Sequence, residues 1–97
     1  MKIIRPPEML EKTGIKSKST IHEYVAKGVL TAPVQLSPQL SGWPEAEVNA
    51  IFRARAAGWP EHRIRDLVKQ LMAARAGAAE RAIADALQAA AQEGGAK

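Results

Sequence analysis

Ninety-seven residues suffice for one small domain and an appendage, but not for two independent cores. Apolar residues at 46% and charged residues at 25% exclude a disordered chain, and the absence of cysteine removes disulfides, thiolate zinc sites and cysteine nucleophiles together. The net charge is +4, and up to Leu36 six cations (Lys2, Arg5, Lys12, Lys16, Lys18, Lys27) face only three acids, so an anionic partner is expected at the N-terminal part.

In chain order, Pro6-Pro7-Glu8 opens a first helix. Proline fits the first helical position, and the glutamate meets the positive end of the helix dipole. Thr13-Gly14 closes this helix, glycine supplying the left-handed stop. Lys16-Ser17-Lys18-Ser19-Thr20 then crowds hydroxyl and ammonium groups ahead of a second helix, predicted to run from Ile21 to Lys27 and to end at Gly28. Either Ser17 or Ser19 can cap its free amides. Ile21, Tyr24 and Val25 form its inward face at helical spacing. Two short helices across a tight turn make the helix-turn-helix pattern.

Val34 and Leu36 alternate with polar residues, Ser37-Pro38-Gln39 reads as a turn, and Leu40 to Trp43 returns as a second strand. Pro33 confines the first of these strands to a sheet edge. A hairpin directly after a helix-turn-helix is a wing. Gly42-Trp43-Pro44-Glu45 then recurs as Gly58-Trp59-Pro60-Glu61 sixteen residues on, each opening a helix. Both tryptophans are expected to anchor their helices against the core. The first helix carries Val48, Ile51 and Phe52; the second carries Ile64, Leu67, Val68, Leu71 and Met72, a stripe suited either to the core or to self-association. From Ala73 the chain is alanine-rich, interrupted by Gly77, with Ile83 and Leu87 its only large apolar residues. So little apolar area predicts a helix that frays unless a partner covers it.

Catalysis finds no support: there is no glycine-rich phosphate loop, no evident carboxylate pair and no nucleophile with base and orienter. His22 and His62, forty residues apart, make no metal site, and no cofactor is expected. No stretch approaches the roughly 18 apolar residues of a membrane span, and the opening Met-Lys-Ile-Ile-Arg-Pro-Pro lacks a signal peptide's apolar run. A soluble, unprocessed protein is expected, its lack of cysteine fitting a reducing cytosol.

Four segments in order resemble the AlpA-like group of small phage and mobile-element DNA-binding proteins, which is related to excisionases and more distantly to the MerR-type winged helix. They are Pro7-Glu8-Met9-Leu10-Glu11-Lys12-Thr13-Gly14, then Ser17-Lys18-Ser19-Thr20-Ile21-His22-Glu23-Tyr24-Val25-Ala26-Lys27-Gly28, then Ala32-Pro33-Val34-Gln35-Leu36, then Gly42-Trp43-Pro44-Glu45-Ala46-Glu47-Val48. The resemblance implies a mainly α winged helix-turn-helix with a small β-hairpin wing over residues 3–57; beyond it, the residues themselves predict a helical extension over 58–93, suited to self-association or partner binding, and a flexible tail over 94–97.

In such proteins the second helix enters the major groove and the wing meets the adjacent minor groove or its phosphates. The resemblance therefore assigns Lys16, Ser17, Lys18, Ser19 and Thr20 to phosphates at that helix's N-terminus, and His22 and Glu23 to base edges. Lys27 and Arg5 become phosphate contacts, and Gln35, Ser37, Gln39 and Ser41 decorate the wing. Many relatives carry arginine or lysine at the place of Glu23, so modest single-site affinity with cooperation between protomers is expected. The implied function is that of an excisionase, a recombination directionality factor that bends DNA at repeated sites for an integrase. The alternatives are a transcriptional regulator of mobile-element genes or, from another class, a protein-interaction module acting through the C-terminal half. The implied partners are duplex DNA, an integrase and other protomers, in a cytoplasmic, nucleoid-associated setting.

Overall fold

The computed structural model describes residues 2–95 of the chain. In order they form β1 (Ile3–Ile4), α1 (Pro6–Thr13), α2 (Lys18–Ala26), β2 (Val34–Ser37), β3 (Leu40–Pro44), α3 (Glu45–Ala56) and α4 (Glu61–Gly95). This is the expected mainly α architecture: a helix-turn-helix, a small β wing and a long C-terminal helix.

The local signals act where the sequence places them. Proline occupies the first turn of α1, and Gly14 ends it at φ 76°, its amide returning 3.0 Å to the Leu10 carbonyl. Of the two candidate caps for α2, Ser17 serves: its Oγ accepts from the Thr20 amide at 3.2 Å. The helix consequently starts at Lys18, three residues before the expected Ile21, and Lys18, Ser19 and Thr20 belong to its first turn. Ser17→Ala should cost about 1 kcal/mol of stability, read as a fall in the thermal midpoint; an unchanged midpoint would show that the cap contributes nothing.

The sheet holds more than the predicted hairpin. Its strand order is β1-β3-β2, with β3 in the centre and antiparallel to both neighbours. Ile3 pairs with Pro44 and Ile4 with Trp43. Two residues are too few for a periodic signal, and only tertiary pairing makes them a strand. β2, preceded by Pro33, is an edge strand as expected.

One core collects Ile4, Met9, Ile21, Leu30, Trp43, Val48, Ile51, Ile64 and Val68. Trp43 anchors it as expected, 2% exposed, with its indole N–H donating to the Thr31 carbonyl at 2.7 Å. Trp59 packs half-buried at the margin, where Arg63 stacks 3.9 Å from its ring centre.

Three expectations for the C-terminal part need correction. Ile64 and Val68 are 1% and 7% exposed and lie inside the core, with Leu67 and Leu71 packed against it. Of the stripe considered for self-association, only Met72 is exposed, because α3 alone leaves the core open on one side and α4 closes it. The segment from residue 58 therefore begins as part of the domain rather than as an appendage. Gly77 does not interrupt α4, which runs without a break to Gly95. A glycine costs a helix only about 1 kcal/mol relative to alanine, and a helix already nucleated by docking propagates through it. The flexible tail expected over 94–97 is helical at Gly94 and Gly95, and its last two residues lie outside the described ones. Every residue from Ala78 to Glu93 is exposed, so the second half of α4 projects from the domain.

Candidate nucleic-acid interface

Capping by Ser17 fixes the direction in which α2 leaves the turn, so that Lys18 stands in its first turn and His22 one turn on. Lys18 lines two adjoining clefts. It shares the first with Arg5, Pro6, Pro7 and Glu8, and the second, floored by Ile21 and Trp43, with His22, Pro33 and Ser41. Helix α2 and the wing thus form neighbouring walls of one surface. Arg5, the N-cap residue of α1, donates from its guanidinium to the Gln39 carbonyl at 3.3 Å and ties the wing turn to the start of the first helix.

Of the residues proposed for DNA contact, Arg5, Lys18, His22, Gln39 and Ser41 are therefore brought together. All are exposed except Ser41, which is half-buried. Gln35 and Ser37 are exposed on β2. Ser17 and Thr20 bond each other, Oγ to Oγ1 at 3.0 Å, in addition to the cap, so these hydroxyls organise the helix start. Lys16 and Ser19 are exposed beside them, and Glu23 is exposed in the body of the helix. Lys27 is set apart: as C-cap residue it stands nine positions from Lys18, about 13 Å along the helix axis. Its carbonyl accepts from Arg65 Nε at 3.1 Å, which joins that end of α2 to α4.

Ion pairing divides the six N-terminal cations in a way that counting charges along the chain does not reveal. Lys2 pairs with Glu8 at 3.1 Å and Glu45 at 3.6 Å, and Lys12 with Glu45 at 3.6 Å. The Glu8 hydrogen bond, helped by the charge of Glu45, raises the Lys2 ammonium above its ordinary pKa. Among the described residues no carboxylate lies in salt-bridge range of Arg5, Lys16, Lys18 or Lys27. Glu8 closes the cleft of Arg5 and Lys18, but its carboxylate is held by Lys2. The cations left without an acid are those of the turn, α2 and the base of the wing, where they suit phosphate oxygens.

A further ion pair that sequence reading missed is Glu47 with Arg75, joining α3 to α4 by two hydrogen bonds of 2.7 and 2.6 Å. Its sequence signal was a glutamate among the buried positions of α3, which needs a partner from elsewhere. No helix among the described residues is long and apolar enough to cross a membrane.

Comparison with known proteins is consistent with this geometry. A family model described as prophage CP4-57 regulatory protein (AlpA) matches residues 2–56, while neither the curated proteins nor the solved structures give a match. The matched segment carries the three-stranded sheet, both helices of the helix-turn-helix and α3, which is more than half of the chain, and the protein belongs to the AlpA family of prophage regulatory proteins.

Proposed function

We propose that this protein binds double-stranded DNA through α2 and its wing, and that it serves a prophage or mobile element as an excisionase. In this reading it lines up on repeated sites beside an attachment sequence, bends the DNA and directs an integrase towards excision. The observation that carries the reading is the surface on which Arg5, Lys18, His22 and Ser41 meet, with its cations left without acidic partners. The N-terminus of α2 enters the major groove, where Lys16 and Lys18 hold phosphates and His22 and Glu23 meet base edges. Lys27 reaches the backbone at the far end of the helix, and Gln35, Ser37, Gln39 and Ser41 follow the groove beside it.

Modest net charge fits weak single-site binding strengthened by neighbouring protomers. The partners of the reading are duplex DNA, those protomers and an integrase, and its setting is the nucleoid. No catalytic step is assigned to the chain. The regulatory character of the family favours a second reading, transcriptional control of the element's genes through the same DNA chemistry.

Footprinting on the encoding element's DNA separates the two. An array beside the attachment site is expected, whereas a lone promoter-overlapping site would favour the regulator. Undetectable binding even at low salt would leave a protein-interaction module. Replacing Lys16 and Lys18 together with alanine should weaken binding to all sequences and reduce the salt slope by about one to two. An unchanged slope would remove both lysines from the phosphate contacts.

A further inference from the structure

Leu36 is 54% exposed, and among the described residues of the family-matched segment no other large apolar side chain is exposed. Strand alternation does not account for it. Val34, two positions earlier on the same strand, is half-buried, and a regular ladder would place Leu36 on the same face. The ladder is irregular here: Gln35 stands opposite Ser41 and Ser37 opposite Leu40, so Leu36 is the extra residue of a bulge and faces no partner. A bulge re-aims the side chain it carries. Here it turns a leucine outward, flanked by the exposed Gln35 and Ser37.

The support behind that leucine is firm. The central strand β3 pairs on both sides, Trp43 is pinned to Thr31, and Arg5 holds the Gln39 carbonyl in the turn. A side chain that must push between stacked bases needs such backing. The minor groove of undistorted B-DNA is only about 6 Å wide, so it is a side chain projecting from the wing that reaches its base edges. Architectural proteins kink DNA by inserting apolar side chains at base steps from that groove.

We propose that Leu36 is an apolar wedge that enters a base step from the minor groove and kinks the duplex while α2 occupies the neighbouring major groove. The proposal rests on the DNA-binding reading above. It gives the wing a role distinct from phosphate contact and a preference for pyrimidine–purine steps, which unstack most readily. Bending then originates in the single protomer rather than only in an assembled array.

The test uses a duplex of mixed sequence with a TA step in each helical turn, labelled at its two ends with donor and acceptor dyes. The wild-type protein should raise energy transfer as the ends approach. Leu36→Ala, an exposed substitution, should keep the far-ultraviolet spectrum and the salt slope, bind within about tenfold of wild type, and lose the rise in transfer. Leu36→Phe, which retains an apolar wedge, should keep that rise. A wild-type complex without increased transfer, or a Leu36→Ala complex with the full increase, overturns the wedge and leaves DNA binding standing. Absence of wild-type binding at low salt overturns the DNA-binding reading and the wedge with it.

Discussion

Replacing Gly42 with alanine is expected to lower the thermal midpoint by about 10–20 °C, equivalent to ~2–3 kcal/mol for a domain of this size. The reason is close approach and not an unusual backbone angle. A Cβ at this position would run into the Ile4 carbonyl oxygen and lie 2.7 Å from Ile3 Cγ2. Backbone cannot rotate out of the way as a flexible side chain can. Either β3 or β1 must move, and β1 is the less firmly held because it consists of two residues. Its displacement would withdraw Ile4, 0% exposed, from the core and free Arg5, the next residue, from the wing turn. Thermal melting followed by circular dichroism reads the stability loss, and a gel shift on the surviving folded fraction should show weakened DNA binding. An unchanged melt would mean that β1 does not pack across Gly42 in solution.

Arg75→Ala is expected to destabilise the fold by about 2–4 kcal/mol. Glu47 is 7% exposed and gives both carboxylate oxygens to the Arg75 guanidinium. Removing the arginine leaves a buried carboxylate with no cation. The lower end of the range reflects the 21% exposure of the Arg75 side chain, through which water reaches the site. Arg75 is also placed where α4 leaves the domain, since the helix is exposed throughout from Ala78. Its loss should therefore loosen the docked half of α4 as well, and amide hydrogen exchange should quicken around Ile64 and Val68. Replacing Glu47 and Arg75 together with leucine should recover most of the stability, because neither charge is then left alone. If the double variant were no more stable than Arg75→Ala, the loss would stem from the arginine's packing and not from its charge.

The parts of this protein that were legible in its sequence are governed by neighbours within about one helical turn. Pro6 and Gly14 bound α1, Ser17 caps α2, Ser37-Pro38-Gln39-Leu40 encloses the wing turn, and Pro44 and Pro60 precede the starts of α3 and α4. Each acts through a fixed φ, a missing amide or a short side-chain bond to the backbone, so composition at a few positions suffices. The inward residues of α2 and α3 could likewise be found from spacing alone.

What only the tertiary structure decided are contacts between residues far apart in the chain, each dependent on a partner that no local pattern names. Ile3 and Ile4 become a strand because β3 lies some forty residues on, with Gly42 leaving room for them. The stripe of Ile64 and Val68 could have faced a second protomer until the open side of α3 was seen to need it. Charge counting put six cations at the N-terminal end, and the fold pairs Lys2 and Lys12 with acids while leaving Arg5, Lys16, Lys18 and Lys27 without one among the described residues. Leu36 alternates with polar residues just as Val34 does, yet a one-residue slip in pairing leaves it without a partner and 54% exposed. Helix ends and turns are encoded where they occur, whereas the choice between burial and exposure depends on what the rest of the chain brings alongside.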